Sequence, residues 1–75
     1  MKQAFYLDGH EYVALCDLLK LAGVVDSGGR AKHVIGDGAV SRNGVVETRK
    51  TAKIHAGEII ALGDVIIEVC SGSHE

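Results

Sequence analysis

The apolar residues change their period partway along the chain. Tyr12, Leu15, Leu18, Leu19 and Ala22 recur at spacings of three and four, and Ala31, Val34 and Ile35 repeat that spacing further on. Such a period lays one apolar stripe along a helix. From Val40 the pattern becomes short aliphatic runs broken by Asn43-Gly44, Gly57-Glu58 and Gly63-Asp64, which is how short strands joined by tight turns read. The helices therefore come as a block ahead of most strands. That order excludes a doubly wound parallel sheet and points to an α+β fold, with two N-terminal helices packed on a small, mainly antiparallel sheet of about four to five short strands. A chain of 75 residues buries only about 60% of the surface its unfolded form exposes. It has no room for a substrate domain or a large barrel. One domain over residues 1–70 is expected, with a disordered tail at 71–75.

Local signals place the elements. Gln3 to Leu7 is short and aromatic and reads as a strand, ended by Asp8-Gly9. The stripe predicts a first helix over Glu11 to Ala22, with Gly23 as its left-handed cap. Ser27 is a suitable N-cap for a second helix, which Gly38 should stop. Asn43-Gly44 predicts a two-residue hairpin, since both residues accept positive φ. Glu47 to Lys53 is polar and basic, hence a loop or a frayed edge. Ile54 opens another strand, and Ile59–Leu62 with Val65–Val69 forms a second hairpin about Gly63-Asp64.

Charge is unevenly distributed. The net charge is −2, yet Arg30, Lys32, Arg42, Arg49, Lys50 and Lys53 face only Asp37 and Glu47 in the segment from 30 to 53. The rest of the chain is acidic. A basic segment on an acidic remainder suits a polyanionic ligand while limiting indiscriminate sticking. Phe5, Tyr6 and Tyr12 are the only aromatics, too few for extended base stacking. No apolar run approaches the ~20 residues of a membrane span, and the start is too short and too soon polar for a signal peptide. Cys16 and Cys70 are therefore expected to be reduced packing residues in a cytoplasmic protein.

The order of these pieces resembles the RNA-binding domain named after the fourth protein of the small ribosomal subunit, the alpha-L motif. The residues that carry the resemblance are Leu15, Asp17, Leu18 and Leu19; Ser27, Ala31, Val34 and Ile35; Gly38 and Val40; Asn43-Gly44; and Gly57-Glu58-Ile59-Ile60. They span about two-thirds of the chain. Leu-Cys-Asp-Leu-Leu-Lys-Leu and Val-Glu-Thr-Arg-Lys narrow it to small stand-alone bacterial RNA-binding proteins of the YbcJ type. Two positions depart from the family: Gly28 stands where an Arg commonly follows the helix-two Ser, and Ala14 where a basic residue often precedes the first-helix Leu. The resemblance implies a non-enzymatic protein that recognises structured RNA, with ribosomal RNA, the ribosome or another ribonucleoprotein as candidate partner; a monomer without a cofactor is expected.

The residues expected to carry that contact surround the start of helix two and the 42–53 hairpin and loop. Ser27, Gly28 and Gly29 offer backbone N–H groups at a helix N-terminus, where the dipole favours anions. Arg30, Lys32 and His33 add charge on the helix, with solvated pairs to Asp26 or Asp37 as the structural alternative. Arg42 and Asn43 stand at the hairpin, Asn43 chiefly as a turn residue. Arg49, Lys50 and Lys53 lie in the basic loop. With so few aromatics, recognition of shape and phosphates is expected over base stacking.

Other chemistries fit poorly. His10, His33, His55 and His74 share no metal spacing, and no Cys-x-x-Cys occurs, so no metal site is expected. No glycine-rich loop carries the lysine and hydroxyl of a P-loop. Ser27 and His33 lack a positioned acid, which leaves no hydrolase. A β-grasp sulfur carrier would need a C-terminal Gly-Gly, whereas the sequence ends Ser71-Gly72-Ser73-His74-Glu75. A protein-interaction module with a basic face stays open as the other class.

Overall fold

The computed structural model describes residues 1–73. Seven strands and two helices follow in the order β1 (Lys2–Tyr6), β2 (Val13–Ala14), α1 (Leu15–Leu21), α2 (Gly28–Gly36), β3 (Val40–Arg42), β4 (Val45–Val46), β5 (Lys53–Ile54), β6 (Ile59–Leu62) and β7 (Val65–Cys70). Five strands form one sheet in the order β1-β7-β6-β3-β4, and β2 pairs with β5 in a second. This is the expected α+β arrangement, two helices on a small sheet that is antiparallel except where β1 runs parallel to β7.

One face of the sheet is buried under the helices. Along β7, Ile67 and Val69 are buried while Ile66 and Glu68 are exposed, the alternation of a strand with one wet face. Val40 and Ile60 continue the buried row on β3 and β6. Against it, α1 contributes Leu15, Leu18 and Leu19, and α2 contributes Ala31 and Ile35, all fully buried. Each buried leucine or isoleucine contributes about 1.5–3 kcal/mol. Cys16 is buried in this core and Cys70 is half-buried, both as free thiols.

The helix ends follow from local chemistry. Ser27 is extended, with φ −157°, and its hydroxyl accepts the Arg30 amide at 3.1 Å. At the far end of α2, Gly38 has φ +79°. Its amide donates to the Ile35 carbonyl and the Ala39 amide to Val34, a Schellman closure that needs the left-handed residue. The same bond pattern closes α1, from Gly23 to Lys20 and from Val24 to Leu19. Asn43 and Gly44 have φ +53° and +86°, which makes β3–β4 the two-residue hairpin expected of that dipeptide.

The first helix is shorter than its stripe. Val13 and Ala14 leave the helical period and pair with Ile54 and Lys53. Tyr12, expected on the buried stripe, is instead exposed. An apolar residue at the right spacing cannot tell a helical turn from a short strand feeding one, and here the cross-strand partner decides. Nor is the basic loop after β4 frayed. The Leu15 amide donates to the Ala52 carbonyl at 2.9 Å and the Cys16 amide to the Lys50 carbonyl at 3.0 Å. Ala14 supplies no side-chain cap, so loop carbonyls satisfy amides that the helix itself leaves unpaired.

Of the expected tail, the Gly72 carbonyl accepts the Asp8 amide at 2.6 Å, and residues 74–75 lie outside the described residues. Among the described residues, no helix is long and apolar enough to cross a membrane.

Candidate functional site

The docking of the basic loop onto α1 fixes where its cations stand. Arg42, Arg49, Thr51, Ala52, Lys53 and His55 line one shallow depression. Lys53 Nζ lies 5.1 Å from the centre of the Tyr12 ring, within the range of a cation–π contact. Lys50 points elsewhere. Its Cε comes within 3.9 Å of where a Cβ on Gly36 would sit, over the last turn of α2. Lys32 is one turn earlier on that helix and shares its face with Gly36. The loop and the exposed face of α2 are thus joined through Lys50, Gly36 and Lys32.

The junction differs from the one expected. The loop cation meets α2 at its closing turn, roughly 12 Å along the axis from the opening turn at Gly28. Ser27, Gly28 and Gly29 stand at that other end. Nothing lies within 4 Å of a Cβ built at Gly28 or Gly29, so the backbone there is open to approach. Arg30 lies on the other flank of α2, in a depression it shares with Gly23, Val24, Val25, Asp26, Val34 and Leu62. Neither Arg30 nor Lys32 forms the ion pair of the structural alternative among the described residues; Asp37 faces His33, at 3.2 Å between Oδ2 and Nε2.

Arg42 and Asn43 have structural work. The Arg42 guanidinium donates through Nε to Glu58 Oε1 at 2.6 Å, through Nη2 to Glu58 Oε2 at 3.0 Å and to the Lys53 carbonyl at 2.9 Å, and through Nη1 to Glu47 Oε1 at 3.3 Å. Asn43 donates Nδ2 to Glu58 Oε1 at 3.1 Å and accepts the Ile59 amide on Oδ1 at 2.9 Å. Glu58 also accepts the His55 amide at 2.7 Å. Asn43-Gly44 and Gly57-Glu58 are therefore one interlocked unit, which is why they occur together. Arg49 lies outside it but touches it, donating Nε and Nη2 to the two oxygens of Glu47, each at 3.0 Å.

Glu47 and Glu58 are the residues that sequence reasoning missed. Glu47 is buried despite its charge. The Arg49 side chain and amide, with Arg42, hold its carboxyl down at about 2, against desolvation. Arg42 does the same for Glu58, with the His55 amide and Asn43, again to about 2. These bonds favour the charged form of the acid, and in return they raise Arg42 and Arg49. The signal that could have found Glu58 was its place beside Gly57 in the recurring turn. Glu47 had none, being one polar residue in a polar loop. Two of the six central cations are thus matched by carboxylates, while Arg30, Lys32, Lys50 and Lys53 have no carboxylate partner among the described residues. No group of His, Cys, Asp and Glu among the described residues is placed to hold a metal ion.

Comparison with known proteins gives this arrangement its relatives. The S4 domain family matches over residues 5–70. YbcJ of Escherichia coli (strain K12) is 46% identical over 65 residues, covering 87% of this chain and 93% of that protein. YbcJ of Shigella flexneri shares the same figures. The solution structure of the Escherichia coli YbcJ, described as revealing an alpha-L motif involved in RNA binding, superposes with a TM-score of 0.71 at 45% identity, covering 89% of this chain and 85% of that one. The chain belongs to the S4 domain family and carries the alpha-L fold.

Proposed function

We propose that this protein is a non-catalytic RNA-binding module that recognises folded RNA by its phosphates, with ribosomal RNA or a ribonucleoprotein as the target class and the cytoplasm as its location. Arg30, Lys32, Lys50 and Lys53 supply cations without carboxylate partners among the described residues, and Arg49 one held by Glu47. The amides of Gly28 and Gly29, beside the Ser27 cap, add donors at the opening turn of α2, and His33 adds one in its last turn. Arg42 and Asn43 act as the frame beneath. The observation that carries the reading is that Lys50 reaches over the closing turn of α2, whose exposed face also carries Lys32, and that neither these two nor Arg30 and Lys53 have a carboxylate partner among the described residues. Exposed ion pairs alone contribute only ~0–1 kcal/mol, so a fold has little reason to gather unpaired cations for stability. The name and described role of the YbcJ relatives support the same class of ligand.

Ultraviolet crosslinking to cellular RNA, with the crosslinked peptides identified by mass spectrometry, tests this. Crosslinks within residues 27–53 are the expected result. Recovery of no RNA, or crosslinks confined to β1 and β7, would overturn it. Partners that survive nuclease treatment would favour the protein-interaction class instead.

A further inference from the structure

Arg49 combines two properties that seldom coincide. Its side chain is 72% exposed, yet its guanidinium is held at two points. Nε donates to Glu47 Oε2 and Nη2 to Glu47 Oε1, each at 3.0 Å, and the Arg49 amide donates to the same Oε2 at 3.1 Å. Nη1 makes no hydrogen bond among the described residues. Glu47 is itself held at both backbone and side chain. Its amide donates to the Val40 carbonyl at 3.0 Å, its carboxylate is buried, and Arg42 approaches its Oε1 at 3.3 Å. Arg42 is in turn clamped by Glu58 from the other side. The chain of contacts runs from the sheet through two carboxylates to one outward-facing arginine.

The geometry points to Glu47 as a positioning residue that orients Arg49 so that its open Nη1 edge meets a phosphate oxygen. The inference rests on the RNA-binding reading and goes beyond it by assigning a binding role to an acidic residue. The physical reason is pre-organisation. A free arginine must lose rotamer freedom when it docks, and a planar guanidinium already fixed in a fork loses much less. A buried carboxylate beneath a polyanion site would otherwise be a liability, since its charge repels the ligand.

That liability makes the test decisive, because the two effects have opposite signs. Glu47→Gln keeps the size and removes the negative charge. By long-range electrostatics alone it tightens RNA binding. By loss of the fork it weakens it, roughly three- to tenfold. The measurement is fluorescence anisotropy with a labelled RNA hairpin on wild type, Glu47→Gln, Arg49→Lys and the double variant. Arg49→Lys keeps the charge on an exposed side chain, loses the fork and leaves the core untouched. Expected are comparable losses in both single variants, no further loss in the double variant, and a salt dependence close to wild type in all of them. The Arg49 Nε–H signal should show the ordered heteronuclear NOE of a fixed group in wild type and lose it in Glu47→Gln.

Affinity in Glu47→Gln equal to or tighter than wild type overturns the inference, as does full additivity of the two single losses. Should wild type itself bind no RNA at low salt, the RNA-binding reading falls and this role falls with it. Wild-type binding with an indifferent Glu47→Gln removes only the positioning role.

Discussion

The paired carboxylates make acid the most informative perturbation of the fold. Glu47 and Glu58 have folded values near 2 against 4.5 when free. Their folded values lie below the unfolded ones, so each stabilises the fold in full above about pH 4.5. That contribution is lost as the pH falls toward 2. A gap of this size at ~1.36 kcal/mol per pH unit gives a ceiling of about 3 kcal/mol for either group. The two share Arg42, so their contributions do not simply add. The core of a chain this short supplies only ~3–5 kcal/mol. Loss of these contributions should therefore remove much of the stability by about pH 3. Urea unfolding followed by circular dichroism at a series of pH values from neutral to 3 measures this directly. Wild type should hold its stability down to about pH 5 and then lose it steeply. Glu58→Gln should be less stable at neutral pH by about 2 kcal/mol, since Arg42 then keeps one carboxylate of two, and its profile below pH 5 should be shallower. A wild-type stability that stays level from pH 5 to 3 would refute the reasoning, as would a Glu58→Gln profile with the wild-type slope.

Further expectations follow from single positions. Lys50→Ala should reduce the log–log salt slope of RNA binding by about 1 while leaving urea unfolding nearly unchanged, because the side chain is exposed. Gly28→Arg should steepen that slope by about 1 in the same titration, since a side chain there meets nothing within 4 Å. Gly36→Ala should stabilise the fold by about 0.4–1 kcal/mol in urea unfolding, because the position is helical and its nearest neighbour is the flexible end of Lys50. Leu18→Ala should cost about 2–5 kcal/mol, enough to leave little folded protein by circular dichroism at 37 °C.

What was legible in the sequence was whatever local chemistry decides. Ser27 caps α2, Gly38 and Gly23 close the two helices, and Asn43-Gly44 turns a hairpin, because each signal acts within a few residues. What was not legible depends on distant partners. The parallel pairing of Lys2–Tyr6 with Ile66–Cys70 brings together the two ends of the described chain, and no local pattern specifies it. Val13–Ala14 falls inside the helix expected over Glu11 to Ala22 until Lys53–Ile54 lies beside it. The site divides in the same way. The cations of residues 30–53 were visible as a cluster in sequence. That Arg42 is neutralised from two sides, that Glu47 fixes Arg49 and that Lys50 reaches Gly36 are consequences of tertiary contacts.

The central claim is that the unpaired cations of the basic loop and α2 form an electrostatic surface for folded RNA. A titration of a labelled RNA hairpin against wild-type protein over a range of salt concentrations tests it most directly. Four phosphate contacts predict a log–log slope of about −3 to −4. An affinity indifferent to salt, or no binding at the lowest salt, would contradict the account.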